Sequence, residues 1–245
     1  MAKGNFLKTL RIGLLLVVLA GVGFGTLLTR QRVTSWEHPL WVAVYPINGD
    51  GSDAVDRYIT NLDEETFEPI ERFLKREAER YGISMRQPVE ILLRDRLNEL
   101  PPPPPRDGNV PAIMWWSLKL RWFAHRVRTD DDIPARIAMF VIYVEPTDEG
   151  RILHSLGLQE GLVGVVNAPA GESARNNVVI AHEILHTLGA SDKYVPGTMF
   201  PRHPDGLADP TRKPLYPQRR AEIMAGRIPV SANTVREPKG LNEVV

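Results

Sequence analysis

The stretch IAMFVIYVEP, Ile137 to Pro146, is apolar without interruption for eight residues, from Ile137 to Val144. A strand with one wet face alternates polar and apolar side chains, whereas an unbroken apolar run of this length, closed by a proline, is the pattern of a strand covered on both faces. It belongs at the centre of a sheet with helices on either side. Upstream, WVAVYPING from Trp41 reads as a first strand that ends at the Asn48–Gly49 turn. The segment TNLDEETFEPIERFLKREAERYG, Thr60 to Gly82, follows with Phe67, Ile70, Phe73 and Leu74 at helical spacing and Gly82 as a stop signal. Pro69 is expected in its first turns, where a proline costs least. PVEILLRD, Pro88 to Asp95, is a second strand, and the order strand, long helix, strand predicts a parallel crossover.

Downstream, GRILHSLGL (150–158) and GLVGVVNAP (161–169) read as two more strands, and ARNNVVIAHEILHTLG (174–189) as a helix closed by Gly189. The expectation is an α/β domain with a five-stranded sheet and two major helices. PPPPP at 101–105 cannot be helix or sheet interior and reads as a stiff exposed loop. MWWSLKLRWFAHRVR (114–128) is expected to be helical, with Trp115, Leu118 and Trp122 on the face that packs onto the sheet. Aromatic and basic residues together also suit a membrane interface.

A chain of 245 residues has room for one domain with a sizeable core and a modest appendage. Acidic and basic side chains balance at 30 each, which leaves no broad positive field for a nucleic acid. Cysteine is absent, so thiol catalysis, disulfides and cysteine-held zinc are excluded, and His, Asp and Glu remain as strong metal ligands. IGLLLVVLAGVGFGTLLT, Ile12 to Thr29, is uncharged and flanked by Lys3, Lys8 and Arg11 before it and by Arg30 and Arg32 after it. It predicts a single membrane-spanning anchor, with a cleaved signal peptide as the alternative. The organisation that follows is a cytoplasmic N-terminus (1–11), the anchor (12–29), a tether (30–40) and a catalytic domain (41–245) held outside the cytoplasm, periplasmic or extracellular, or secreted if the signal is cleaved.

The chemistry lies in IAHEILHTLGASDKY, Ile180 to Tyr194. Residues four apart on a helix share a face, so His182 and His186 can direct their rings at one ion while Glu183 reaches a water bound to it. The ion lowers the pKa of that water, and the glutamate takes its proton and passes it to the leaving amine. A bare HExxH arises by chance in on the order of one such sequence in a hundred; adding Gly189 and Asp192 at fixed positions brings this to about one in ten thousand, which favours a site over an accident. Gly189 lets the chain leave the helix sharply and bring Asp192 back as third ligand. A glutamate from a distant segment, Glu222, is the alternative third ligand.

HExxHxxGxx(H/D) on a helix, followed downstream by a methionine turn, resembles the metzincin clan of zinc metallopeptidases, and the aspartate variant is similar to the snapalysin type. The resemblance implies one Zn2+ per chain held by His182, His186 and Asp192, with Glu183 as general base and Gly189 as turn glycine. It also implies that Met224, in AEIMAGRIP (221–229), is the Met-turn residue under the site, with Met199 as a weaker rival. The clan's sheet is mostly parallel with an antiparallel edge strand, and 150–158 sits where that strand would fall, able to accept an extended peptide by strand addition. Tyr194 and His154 are candidates for substrate contact, with Tyr194 as a packed core residue the alternative; His125 and His203 are not assigned to the metal. The function expected is a zinc-dependent metalloendopeptidase acting on a peptide or protein. The alternatives are a non-catalytic zinc-stabilised binding or assembly module at the membrane, and a hydrolase of a non-peptide amide. Oligomeric state is not legible.

Overall fold

The computed structural model describes residues 8, 10–13, 15–17, 35–36, 38–105, 109–128, 135–146, 155–159 and 161–245. The chain divides into two units, Met1–Glu37 and His38–Val245. In the first, the described residues between Lys8 and Val17 are helical and exposed. The expected anchor over 12–29 is corrected here: among the described residues no helix is long and apolar enough to cross a membrane. A span needs about 20 apolar residues at 1.5 Å each. Residues 14 and 18–29 of the proposed segment lie outside the described ones. The longest described helix, Val110–Val127, has 18 residues and carries Lys119, Arg121 and Arg126. The localisation built on the anchor is withdrawn with it.

The second unit is α/β. Its strands β1 (Leu40–Asn48), β2 (Val89–Leu93), β3 (Ile137–Val144), β4 (Leu156–Leu158) and β5 (Val163–Pro169) form one sheet in the order β2-β1-β3-β5-β4. All pairs are parallel except β4 with β5, which is antiparallel and sets Gly157 opposite Gly164. The apolar run that predicted a central strand is β3, and its residues from Ile137 to Val141 are buried on both faces. Four helices follow in chain order: α1 (Asp53–Thr60), α2 (Glu68–Arg80), α3 (Val110–Val127) and α4 (Ser173–Thr187). Ala43, Tyr45, Phe140 and Val165 pack with Trp116, Leu120 and Phe123 of α3 in one buried cluster. α1 packs against β1 and β3, and α4 against β3, β4 and β5.

Helix α2 has Pro69 in its first turn and stops at Gly82, as its sequence predicts. The short helix α1 was not anticipated, although Ser52 caps it by accepting from the Val55 N–H and Asp53 and Asp56 occupy its first turn, a legible start signal. Helix α3 faces the other way from the expectation. Trp116, Leu120, Phe123 and Ala124 are its buried side, while Trp115, Leu118 and Trp122 point outward. The polyproline run is tied to it by the Trp116 Nε1–H, which donates to the Pro102 carbonyl at 2.8 Å. After α4 the chain is mostly coil with two short antiparallel pairs, β6 (Tyr194–Val195) with β7 (Phe200–Pro201) and β8 (Ile228–Pro229) with β9 (Val235–Arg236).

Candidate metal centre

Helix α4 ends in a Schellman motif: the Gly189 N–H donates to the His186 carbonyl and the Ala190 N–H to the Leu185 carbonyl, both at 3.0 Å. This closure needs a left-handed residue, and Gly189 supplies it at φ +97°. The reversal turns the Ala190 carbonyl back onto the last turn of the helix, where the His186 Nδ1–H donates to it at 2.8 Å. The His182 Nδ1–H donates to the Ile223 carbonyl at 2.9 Å. A carbonyl can only accept, so each Nδ1 carries the hydrogen and each Nε2 presents a bare lone pair.

Those two lone pairs converge. The Nε2 atoms are 3.0 Å apart, and each is 3.2 Å from Asp192 Oδ1. Three ligand atoms on a tetrahedron with bonds of about 2.0 Å stand about 3.3 Å from one another, so the triangle has the size of one face of a zinc-type coordination shell. Two bare ring nitrogens and a carboxylate at this separation repel unless a cation or a shared proton lies among them. Burial pulls the basicity of His182 down, and the Asp192 carboxylate, the Glu183 charge and the Ile223 carbonyl outweigh it, so its pKa is raised overall. Burial likewise pushes Asp192 up, but the two imidazoles, which supply a hydrogen bond and positive charge once a proton is taken up at Nε2, leave it lowered. The surroundings favour positive charge, and the donor set fits a metal ion. Among the described residues His182, His186 and Asp192 form the one group able to hold it.

Glu183 is 4 % exposed, and its Oε2 has no hydrogen-bond partner among the described residues. Burial raises its pKa to about 7, with His182 opposing and Asp192 reinforcing the shift. A buried carboxylate oxygen without a partner is costly unless something else binds there. It lines, with His182, Tyr194, Val179, Asn167 and Met199, a cleft of about 850 Å³. A second hollow, about 440 Å³ beside Ile59, Asp63 and Leu93, contains no metal-ligand cluster among the described residues.

The other candidates are placed as follows. Glu222 is engaged elsewhere: Oε1 meets Lys193 Nζ at 3.1 Å and Oε2 accepts the Ala225 N–H at 2.8 Å, so it is not the third ligand. Met224 is buried in the 222–226 turn, next to the Ile223 whose carbonyl holds His182. Met199 lines the cleft from the turn between β6 and β7, at φ +55°. Tyr194 hydrogen-bonds Asp192 and lines the cleft, and burial with the Asp192 charge pushes its pKa to about 12. His125 is exposed against the Trp122 ring, His203 is exposed, and His154 lies outside the described residues.

Three contributors escaped the sequence reading. Arg202 donates from Nη2 to the Asp192 carbonyl at 2.9 Å and from Nε to the Tyr194 carbonyl at 3.0 Å, which fixes the returning segment. Lys193 joins that segment to the 222–226 turn, through its N–H to the Met224 carbonyl and its ammonium to Glu222. Gly157 brings β4 against α4 so closely that a Cβ would stand 2.4 Å from the Glu183 carbonyl oxygen. Only Gly157 carried a readable signal, since a glycine inside a strand marks a close approach. Comparison of the chain with protein-family models and with curated proteins finds no match.

Proposed function

We propose that the chain is a zinc-dependent metalloendopeptidase of metzincin-like type, with His182, His186 and Asp192 as zinc ligands and Glu183 as general base. The observation that carries this reading is the triangle of two bare imidazole nitrogens and a carboxylate oxygen beside a buried carboxylate with an unpartnered oxygen. Zinc in that triangle would supply Lewis-acid polarisation of a carbonyl and acidify a water. The chain's own groups do the rest. Glu183, at the head of the cleft, takes the proton from the attacking water at Oε2 and delivers it to the amide nitrogen as the C–N bond breaks. Tyr194, held protonated at neutral pH, donates its O–H to the carbonyl oxygen as that oxygen gains charge, giving up its bond to Asp192. The Ile223 and Ala190 carbonyls keep both rings in the ligating tautomer. Among the described residues β4 pairs only with β5, and its other side would offer backbone groups to an extended peptide, which is the form an endopeptidase substrate takes.

The test is hydrolysis of a diverse peptide library by the purified chain, with and without chelator, alongside Glu183→Gln. Chelator-sensitive cleavage is expected, with Glu183→Gln retaining one zinc per chain and losing at least about a hundredfold in kcat. Cleavage undiminished in Glu183→Gln would remove the enzyme reading.

A further inference from the structure

Helix α3 is apolar on two sides. Its inner side is buried on the sheet, and its outer side exposes Val110, Ile113, Met114, Trp115, Leu118 and Trp122, the two tryptophans at 64 % and 67 %. A helix that is apolar all round belongs in an interior, so the outer face calls for a cover. With large side chains worth about 150–250 Å² each, the six leave on the order of 700 Å² in contact with water. This exceeds the patch of a few hundred Å² found on ordinary monomers and approaches the ~800 Å² that each partner gives to a stable interface.

We propose that this face is covered by a second copy of the chain, through an antiparallel pairing of α3 with α3 about a two-fold axis near the Leu118–Lys119 bond. The spacing is self-complementary. Trp115 lies three residues before Leu118 and Trp122 three residues after Lys119, so an antiparallel pair sets Trp115 against Trp122 of the second copy at both ends, with the two Leu118 side chains between them. A formal net charge of zero leaves no long-range repulsion between copies.

Charge also separates this occupant from the others. Helix α3 has no Asp or Glu, and Lys119, Arg121 and Arg126 flank the stripe. Arg126 is answered within its own chain by both oxygens of Glu99 at 2.7 Å, and the stem of Arg121 lies against Gly161. These two arginines are turned to their own fold, and the exposed Lys119 by itself is too little positive charge for a lipid surface to recognise. What repulsion remains across the dyad is between like charges, so salt strengthens the pairing. An anionic lipid or an acidic partner would show the reverse dependence.

The experiment is sedimentation equilibrium of the full chain from about 1 to 100 µM, at low and high salt, with Trp122→Glu, Trp115→Glu and the control Tyr81→Glu, whose ring is exposed outside α3. All three positions are exposed, so the fold tolerates the changes, and circular dichroism verifies it. A reversible dimer is expected, as tight or tighter at high salt. The dissociation constant should rise by at least about tenfold in each tryptophan variant and stay unchanged in Tyr81→Glu. A monomer at every concentration overturns the proposal. So does a dimer indifferent to Trp122→Glu, a dimer loosened by salt, or a monomeric chain that co-sediments with phosphatidylglycerol vesicles in a Trp122-dependent way.

Discussion

A methyl group added at Gly157 would stand 2.4 Å from the Glu183 carbonyl oxygen and 2.7 Å from His186 Cβ, so β4 and α4 could no longer approach as they do. At Gly189 the same addition meets the end of the Gln159 side chain at 2.5 Å, a group free to swing away, and the cost is mainly that of placing a Cβ at φ +97°. The two glycines therefore fail differently. Gly189→Ala is expected to cost about 1–2 kcal/mol through its backbone alone. Gly157→Ala forces backbone apart beside a ligand and is expected to cost about 1–3 kcal/mol and to weaken metal binding as well. At about 2–4 °C per kcal/mol for a protein of this size, thermal unfolding with a parallel metal titration resolves the pair. Metal affinity lowered more by Gly189→Ala than by Gly157→Ala would contradict the close approach as the tighter constraint.

At the scale of elements, the site joins one helix end to two loops. Helix α4 supplies both imidazoles, the return after Gly189 supplies Asp192, and the 222–226 turn supplies the carbonyl that orients His182. Arg202 holds the return in place, through the Asp192 and Tyr194 carbonyls. Arg202→Met keeps the side-chain stem and removes the donors. It is expected to lower zinc affinity by about 10–100-fold with little change in the unfolding temperature, as for other groups that orient ligands, and competition with a chromogenic chelator reads it. Unchanged affinity would show that the return is held without it. The clustering of His182, His186 and Asp192 was legible in the sequence because helical spacing and the turn at Gly189 convert directly into geometry, and β3 was legible because an unbroken apolar run has one common explanation. The inner face of α3 was not: with Trp115, Leu118 and Trp122 on one side and Trp116, Leu120 and Phe123 on the other, periodicity marks two apolar faces and cannot rank them. Ile223 and Ala190 were invisible for a different reason, since they act through backbone carbonyls that any residue supplies.

On the scale of the whole molecule, the last residues of the chain return to the turn that carries Ile223. Ala221 and Ile223 exchange backbone hydrogen bonds with Glu243 and Val245, so the C-terminal residues brace the turn that positions His182. The return that carries Asp192 and the braced turn that orients His182 are set only in the folded chain, so zinc held there would add to folding stability by mass action. With free zinc at a hundred times its dissociation constant the gain is about 2.7 kcal/mol. Removal of metal by chelator is then expected to lower the unfolding temperature of the wild type and of Glu183→Gln alike by about 5–10 °C, and to leave His186→Ala unmoved. Equal sensitivity in His186→Ala would place the stabilising metal elsewhere.

The central claim, that His182, His186 and Asp192 hold a metal beside an uncoordinated Glu183, is tested most directly by an anomalous difference map from zinc-loaded crystals, recorded on both sides of the zinc absorption edge. One peak per chain is expected, about 2.0–2.2 Å from the Nε2 atoms of His182 and His186 and from Asp192 Oδ1, with Glu183 outside bonding distance. A peak ligated by Glu222 in place of Asp192, or no peak between the two imidazoles, would contradict the account.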